Sequence, residues 1–253
     1  MSVPWVSAVV PAYNEADGIA GTVDALESAL DALRRPWEII VVDNASTDGT
    51  RERLAGDERV TVLANETNRG KGYSMRRGML HATGALRLHC DADCAPSLVS
   101  LGRLLERIEH ADVVVGSRLA LGAEVAVRQP LSRRVVGRSF VELCRRALDE
   151  PTHDLFCGFK LWRSGAAEAA YSRVTLDGWV FDAEVLALAR ARGFRIAEVG
   201  VSWSDREGSR LSMPRVLVPA VRDLARARAS ALRAAREPSD PRGLIPEPAE
   251  PVS

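Results

Sequence analysis

Short runs of apolar residues alternate with helix-like segments along the first half of the chain. The runs are nearly continuous instead of alternating with polar residues, which is typical of parallel strands covered on both faces. The predicted strands cover residues 6–10, 37–42, 60–63, 85–90 and 113–115. The helices predicted between them cover residues 16–33, 48–54, 70–82 and 97–108. This order predicts an α/β fold with a doubly wound, mostly parallel sheet flanked by helices.

Length, charge and cysteine content narrow the functional classes. The 253 residues suffice for one large α/β domain or two small ones. Basic and acidic residues balance at 34 each, so no overall field favours nucleic acid, and a charged partner must be bound by a local patch. The cysteines are Cys90, Cys94, Cys144 and Cys157. They form no CxxC pair and no zinc-finger spacing, so we expect reduced thiols in a cytosolic protein.

The sequence offers no strong membrane signal. The N-terminus lacks a basic region followed by a long apolar segment, and no stretch approaches the ~18 apolar residues of a spanning helix. We therefore expect a cytoplasmic protein, or one that lies peripherally at the inner face of the membrane.

The last 40 or so residues divide into a basic helix and a tail. Residues 214–236 carry arginines beside one apolar face, a pattern shared by interfacial helices and by helices that pack on a domain. The apolar face comprises Val216, Leu217, Val221, Leu224, Ala225 and Leu232. Residues 237–253 are rich in proline and acid, which predicts a disordered tail.

Two carboxylates one residue apart follow the fourth predicted strand. Asp91 and Asp93 flank Ala92 directly after the apolar run that ends at Cys90. Mg²⁺ takes carboxylate oxygens, often only one or two from the protein, and completes its shell with water and substrate phosphates. The alternative is a loop whose acids cap the helix that begins near Ser97. The pair therefore indicates either a site for a metal and a nucleotide diphosphate or an ordinary helix cap.

Polar residues also follow the first three strands, and the carboxyl ends of parallel strands share the edge of the sheet where ligands bind. The first strand leads into Pro11, Ala12, Tyr13, Asn14 and Glu15. The second ends at Asp43, a possible acceptor for a base or ribose, and Asp48 is placed to cap a helix starting near Thr50. The third leads into Asn68, Arg69, Gly70, Lys71 and Gly72. These segments suit a nucleotide and its phosphates, but each also suits an ordinary turn or cap.

Only two lysines occur in this arginine-rich chain, Lys71 and Lys160. Each lies in a glycine-containing segment that resembles a motif. A lysine retained among so many arginines indicates a position where a guanidinium does not fit, because of size or geometry.

In their order and rough spacing, these motifs resemble the nucleotide-sugar half of a glycosyltransferase family 2 enzyme with the GT-A fold. The matching segments are residues 11–15, 43–50, 68–72, 91–93 and 116–118. Later motifs resemble the dolichyl-phosphate β-glucosyltransferase and dolichol-phosphate mannose synthase branch, namely DLFCGFKL at 154–161, GWVFDAE at 178–184, VSW at 201–203 and GSRL at 208–211. The resemblance implies one GT-A domain, with residues 1–118 as its nucleotide-sugar half and residues 119–213 as its acceptor half.

The resemblance also implies roles for matching residues. The nucleotide sugar would be held by Pro11, Ala12, Tyr13, Glu15, Asp43, Lys71, Asp91 and Ala92. Asp91 and Asp93 would hold the metal, Mg²⁺ or Mn²⁺, and Arg118 would face the acceptor. Cys94 stands where the family commonly has glutamine or a small residue. As a soft ligand it is expected to contribute no bond to Mg²⁺.

A phosphate acceptor and a hydroxyl acceptor require different residues in the active site. A polyprenyl phosphate, with a second pKa of ~6, is largely ionised at neutral pH and needs arginines more than a base. Arg134 and Arg138 share a helix face at i, i+4 and suit a dianion, although each arginine also suits a solvated surface. The candidate acceptor-binding residues are Arg118, Arg134, Arg138, Arg206 and Ser209.

A hydroxyl acceptor would require a general base. Asp154 is the leading candidate, followed by Asp182 and Glu184, which also suit the positive end of the helix that runs to Arg192. With Asp93 at the metal, the candidate catalytic residues are Asp93, Asp154 and Asp182. His89, in the strand before the acids, is expected to be a core histidine.

The sequence thus predicts a metal-dependent inverting glycosyltransferase. It would move a hexose, glucose or mannose, from UDP-glucose or GDP-mannose to a polyprenyl phosphate. Alternatives are the same transfer to a soluble hydroxyl, a nucleotide-sugar-binding protein without turnover, and a nucleotidyltransferase. The last is weakened by the lack of a Gly-rich N-terminal phosphate loop. No nucleic-acid partner is expected, and the oligomeric state is left open.

Overall fold

The structure is a computed structural model that describes residues 3–125, 131–203 and 213–237. Its strands are β1 (Val6–Ala12), β2 (Trp37–Asp43), β3 (Val60–Ala64), β4 (Leu86–Cys90), β5 (Val113–Ser117), β6 (Glu124–Val125), β7 (Phe159–Arg163), β8 (Ile196–Gly200) and β9 (Ser202–Trp203). Its helices are α1 (Ile19–Asp31), α2 (Lys71–His81), α3 (Leu101–Ile108), α4 (Leu131–Leu148), α5 (Ser164–Tyr171), α6 (Phe181–Ala191) and α7 (Met213–Ala234). The predicted strands correspond to β1 through β5.

Seven strands form one sheet in the order β3-β2-β1-β4-β7-β5-β8. All neighbours pair in parallel except β7, which runs antiparallel between β4 and β5. β6 and β9 form a separate two-stranded ribbon. The predicted doubly wound, mostly parallel sheet with flanking helices is confirmed. The strand order reverses at β1 and β4, so a ligand crevice is expected beyond their carboxyl ends.

Both faces of the sheet are buried, which explains the continuous apolar strands. On β1, Val9 packs in a cluster with residues of α5, α6 and α7, while Ala8 and Val10 pack with residues of α1 and α3 on the other face. Ile40 and Ile39 of β2 divide between the two clusters in the same way. Consecutive strand positions therefore tend to be apolar, because both faces of the sheet are covered.

The helix predicted over residues 48–54 is wrong, because only a 3₁₀ turn, Glu52–Leu54, forms there. Asp48 Oδ1 accepts from Thr50 N at 3.0 Å, and Oδ2 accepts from Ala16 N at 3.1 Å. The carboxylate therefore connects two loops at the sheet edge instead of capping a helix.

α7 packs on α4 and α6 through small residues. Its buried members are Ala220, Leu224, Ala227, Ser230, Ala231 and Ala234. Of the predicted apolar face, Leu224 is buried, and the exposed members are Val221, Ala225 and Leu232. The side chains of Val216 and Leu217 lie outside the described residues. Among the helices that the structure describes, none is both long and apolar enough to span a bilayer.

Candidate functional site

Hydrogen bonds join the loops after β1 and β2 at the predicted crevice. Asn14 donates its N–H to Ser46 Oγ at 2.9 Å, and Glu15 N donates to Thr50 Oγ1 at 2.8 Å. Asn14 has a φ of 54°, a left-handed conformation that asparagine tolerates better than most residues. This turn leaves Tyr13 46% exposed beyond β1, where its ring is available to stack on a base.

Asn44, which the sequence motifs did not single out, connects the neighbouring strand ends. Its N–H donates to Ala12 O at 2.8 Å, and its Nδ2 donates to Asn68 Oδ1 at 2.8 Å. Its Oδ1 accepts from Arg69 N at 3.1 Å. The preceding residue, Asp43, is 3% exposed. Asn44 therefore fixes the loops around Asp43, and in the sequence it was indicated only as one residue of the 43–50 segment that follows a strand.

Glycines at the start of α2 allow that helix to pack against the segment before α6. A Cβ at Gly70 would lie 2.3 Å from Asp177 O, and a Cβ at Gly72 would lie 2.4 Å from Leu176 O. Asp177 O accepts from Gly72 N at 2.8 Å and from Tyr73 N at 3.4 Å. Because these two N–H groups already donate within the protein, a positive charge for a phosphate at the start of α2 must come from side chains such as Lys71.

The two lysines of the chain contact one carboxylate. Asp182 on α6 pairs with Lys160 of β7 through Oδ1, and with Lys71 through Oδ2 at 3.1 Å. Lys71 Nζ also lies 2.8 Å from Asp91 Oδ1. Lys160 and Asp182 are fully buried, whereas the Lys71 side chain is 14% exposed. These four residues, which we term the lysine network, alternate in charge from the core to the crevice.

In the lysine network, burial and ion pairing shift the pKa of each group in opposite directions. Burial alone would lower the pKa of Lys71, but Asp182 and Asp91 outweigh it and raise that pKa. Burial would raise the pKa of Asp91, but Lys71 outweighs it and lowers that pKa. The pKa of Asp182 is also lowered, because Lys160 and Lys71 outweigh its burial. All three groups are therefore ionised at neutral pH.

His89 lies buried on β4 beside the lysine network. Its Nδ1 is 3.1 Å from the Tyr171 hydroxyl, its ring stacks on Phe181, and its Nε2 is 3.6 Å from Asp91 Oδ1. Because Nε2 faces a carboxylate, we assign the proton to Nε2, and Nδ1 then accepts from Tyr171. Burial, followed by the charge of Lys160, lowers the pKa of His89 to about 4. The ring is neutral and buried, as expected of a core histidine.

We predict that His89 destabilises the fold in acid. Its pKa rises from about 4 in the folded chain to 6.5 when unfolded, so between these values the unfolded state binds the extra proton. The free energy of unfolding should fall by about 1.4 kcal/mol per unit as pH drops through this window. In His89→Asn, whose Oδ1 still accepts from Tyr171, this contribution should be absent. Urea denaturation at several pH values measures it, and equal slopes for both proteins would contradict it.

The turn that follows Asp91 and Asp93 is short and is not capped by the side chain of its N-cap residue. The 3₁₀ turn Ala95–Ser100 has Cys94 at its N-cap and no side-chain cap hydrogen bond. Within the described residues, no group of three or more His, Cys, Asp or Glu side chains is placed to hold a metal unaided. A cation here would therefore need oxygens from a substrate or water, as Mg²⁺ commonly does.

The expectation of four reduced cysteines is wrong for Cys90 and Cys94, which form a disulfide. The chain turns beyond β4 and brings their Cα atoms to 5.9 Å, within the range of a disulfide. Cys144 and Cys157 are free, and burial raises the pKa of each thiol to about 12. Three residues separate these cysteines, which is not the CxxC spacing, so the pairing became evident only from the turn in the structure.

Gly158 leaves room for the Asp91 carboxylate. The pairing of β4 with β7 extends past the strand ends, where Asp91 N donates to Gly158 O at 2.8 Å. A Cβ at residue 158 would lie 1.9 Å from Asp91 Oδ2. A glycine is therefore required for Asp91 to stand beside Lys71.

Arg118, directly after β5, pairs with Asp154. Its Nε donates to Asp154 Oδ2 at 2.8 Å and its Nη2 donates to Oδ1 at 2.7 Å. Its guanidinium lies 5.2 Å from the ring of Trp203. Asp154 is 3% exposed, so its carboxylate is buried and already accepts from Arg118. Asp154 thus orients Arg118, and its use as a general base stays a prediction.

The other candidate bases, Asp182 and Glu184, also form ion pairs or hydrogen bonds within the protein. Asp182 belongs to the lysine network. Glu184 Oε1 accepts from Thr175 Oγ1 at 2.7 Å, and Oε2 accepts from Leu176 N at 2.9 Å. Glu184 therefore fixes the segment that packs against the start of α2.

The remaining acceptor candidates are not brought together in the described residues. Arg138 is exposed on α4. Arg134 belongs to the same helix, but its side chain lies outside the described part of the structure. Arg206 and Ser209 lie outside the described residues altogether. Their assignment to the acceptor stays a prediction.

The chain matches the family model for glycosyl transferase family 2 over residues 7–170. It is 34% identical to a dolichyl-phosphate beta-glucosyltransferase of Trichomonas vaginalis, over 86% of this chain and 69% of that protein. It is 30% identical to the dolichyl-phosphate beta-glucosyltransferase of Homo sapiens, over 81% of this chain and 69% of that protein.

Solved structures share the fold. Glucosyl-3-phosphoglycerate synthase from Mycobacterium tuberculosis in complex with Mg²⁺ and UDP has a TM-score of 0.66 at 20% identity, covering 93% of this chain and 81% of that one. Its complex with Mn²⁺, UDP and phosphoglyceric acid has a TM-score of 0.65 at 19% identity, covering 93% and 80%. The chain therefore belongs to glycosyl transferase family 2 and has the GT-A fold.

Proposed function

We propose that this protein transfers glucose from UDP-glucose to a polyprenyl phosphate, with inversion at the anomeric carbon and with a divalent metal. The curated relatives are named dolichyl-phosphate beta-glucosyltransferases, which supports this sugar over mannose and a phosphate acceptor over a hydroxyl. The structural neighbours were crystallised with UDP and Mn²⁺ or Mg²⁺, which supports such a donor and metal.

The lysine network suits the diphosphate of the donor. The Lys71 ammonium lies toward the crevice side of the network beside Asp91, ionised, with its side chain 14% exposed. Lys160 keeps Asp182 ionised, and Asp182 in turn holds Lys71 in place. Lys71 thereby offers the leaving diphosphate a charge whose position is set before the substrate arrives.

Asp91 and Asp93 fit a hard divalent cation. Asp91 Oδ1 is buried and lies 2.8 Å from Lys71 Nζ, but without the alignment of a hydrogen bond, so it retains acceptor capacity. With diphosphate oxygens and water, the two carboxylates would make a typical Mg²⁺ or Mn²⁺ shell. Bound there, the metal would act as a Lewis acid for the charge that develops on the leaving group.

The main support for a phosphate acceptor is that each candidate base already accepts a hydrogen bond or forms an ion pair within the protein. Asp154 accepts from Arg118, Asp182 is shared by two lysines, and Glu184 accepts from a neighbouring loop. A hydroxyl nucleophile would need one of them released, whereas a phosphate monoester is already ionised near neutral pH. Arg118 is placed to attract that dianion while Asp154 holds its guanidinium.

An assay with a panel of substrates tests the proposal. Purified protein with Mn²⁺ would be given labelled UDP-glucose or GDP-mannose, together with polyprenyl phosphate or the matching polyprenol. We expect an acid-labile lipid product only from UDP-glucose and the phosphate, and none with Asp93→Asn. Transfer to the polyprenol, or to soluble hydroxyls alone, would contradict the proposed acceptor.

Gly158→Ala should impair this transfer through Asp91. The new Cβ would displace the Asp91 carboxylate from Lys71, and a misplacement of about 1 Å commonly costs about 10²-fold in kcat/KM. Gly102→Ala on α3 is the matched control, since its Cβ would meet no atom within 4 Å. Steady-state kinetics of both variants would measure the effect. Wild-type kcat/KM in Gly158→Ala would contradict the required position of Asp91.

A further inference from the structure

A disulfide spans the loop that carries both candidate metal ligands. Cys90 is the last residue of β4, and Cys94 precedes the 3₁₀ turn, so their bond closes a ring around Asp91, Ala92 and Asp93. Both cysteines are fully buried in the cluster that includes residues of α1 and α3. Asp91 and Asp93 are only partly buried. One side of the ring is thus fixed in the core while its acids lie nearer the crevice.

The two acids are fixed by different contacts. Asp91 is held by Lys71 and by the backbone of β7, as described above. Ala92 O accepts from Thr22 Oγ1 of α1 at 2.6 Å. Asp93 lies between that anchored carbonyl and Cys94, whose N–H donates to Asp91 O at 3.0 Å and whose sulfur is bonded to Cys90, so the disulfide is one of the constraints on the far end of its segment.

We propose that the Cys90–Cys94 disulfide positions Asp93 for the metal, and that its reduction weakens metal binding and makes the enzyme responsive to thiols. The proposal rests on the proposed function for the identity of the metal site. A dithiol reductant would break the S–S bond and leave a thiol on each cysteine, while the reductant itself becomes a disulfide. Two electrons and two protons pass to the protein in this exchange.

Reduction should affect the metal more than the nucleotide. Of the lysine network, the disulfide ring encloses Asp91 alone. Asp91 also contacts Lys71 and Gly158, and these contacts do not depend on the S–S bond, so we expect them to persist after reduction. Mn²⁺ affinity should therefore fall about tenfold, a size typical when a group that orients a metal ligand is lost. Affinity for UDP without metal should stay unchanged.

The experiment compares the oxidised full-length protein with the same protein reduced by dithiothreitol. Peptide mass spectrometry without reductant establishes whether residues 90 and 94 are joined. Electron paramagnetic resonance of free Mn²⁺, in the presence of UDP, then measures metal affinity, and calorimetry measures UDP affinity without metal. We expect a joined pair, about tenfold weaker Mn²⁺ binding after reduction, and equal UDP binding. An unjoined pair, or equal Mn²⁺ affinity once mass spectrometry shows that dithiothreitol has reduced the bond, would overturn the proposal.

Variants keep the test valid if the buried bond resists reduction. Cys90→Ala/Cys94→Ala should bind Mn²⁺ like the reduced protein and should not respond to dithiothreitol. Cys144→Ala, a buried free thiol on α4, should retain the wild-type response. Tight Mn²⁺ binding by the double variant would overturn the role of the disulfide. These measurements omit the acceptor, so a protein that binds Mn²⁺ as expected but transfers no glucose counts against the proposed function alone.

Discussion

Lys71→Met should lower kcat/KM for glucose transfer by about 10²–10³-fold while the protein stays folded, the usual cost of removing a preorganised charge from a leaving group. The methionine retains most of the apolar stem beside Trp179 and Phe181, whose rings lie 5.4 Å and 5.6 Å from the ammonium. Asp182 keeps Lys160 as its counter-ion, whereas Asp91 loses Lys71 and keeps its partial exposure, so a small loss of stability is expected.

Two comparisons sharpen this prediction. Lys71→Arg should recover only part of the loss, because a guanidinium is larger and presents a planar fork in place of a point charge. Arg107→Met removes an exposed cation on α3 and should leave kcat/KM unchanged. Steady-state kinetics with UDP-glucose, together with thermal melting of each variant, measures both properties. An equal loss of kcat/KM in Lys71→Met and Arg107→Met would contradict the assignment of Lys71 to the donor site.

Asp182→Asn should destabilise the protein by about 3–5 kcal/mol, the range expected when one partner of a buried ion pair is removed. The fully buried Lys160 ammonium would be left without its counter-ion. Lys71 would at the same time lose one of its two carboxylate partners. Urea denaturation at neutral pH measures the loss of stability.

The double variant Asp182→Asn/Lys160→Met separates stability from catalysis. It removes both buried charges, so most of the stability should return, as it does when buried pairs are replaced by neutral groups. Catalysis should remain low, since Lys71 still lacks its anchor at Asp182. Recovery of wild-type kcat/KM in the double variant would show that Asp182 serves the core and not Lys71.

The sequence predicted β1 through β5 and the crevice because both rest on local patterns, whereas β6 through β9 were not predicted as strands. Continuous apolar runs mark strands buried on two faces, and the polar residues after them meet at one edge of the sheet. Lys71 and Asp91 were therefore indicated as neighbours, and the structure pairs them. The retained lysines were also singled out, although nothing in the sequence indicated that they share a partner.

Long-range pairing explains most of what the sequence did not predict. Asp182 is separated from Lys71 by 111 positions, and Lys160 reaches it only because β7 inserts antiparallel between β4 and β5. The face of α7 was assigned to large residues, whereas packing on α4 and α6 selected alanines such as Ala227. Close approach of helices favours small side chains, which a search for large apolar residues passes over.

The pH dependence of kcat/KM for the lipid acceptor tests most directly whether the acceptor phosphate attacks without a protein base. We predict that kcat/KM rises with pH through the second pKa of the polyprenyl phosphate, about 6. A phosphonate analogue with a higher second pKa should move this rise to higher pH by the same interval, because kcat/KM reports ionisations of the free enzyme and free substrate. A rise that stays at one pH with both acceptors would assign the ionisation to the protein and contradict the mechanism.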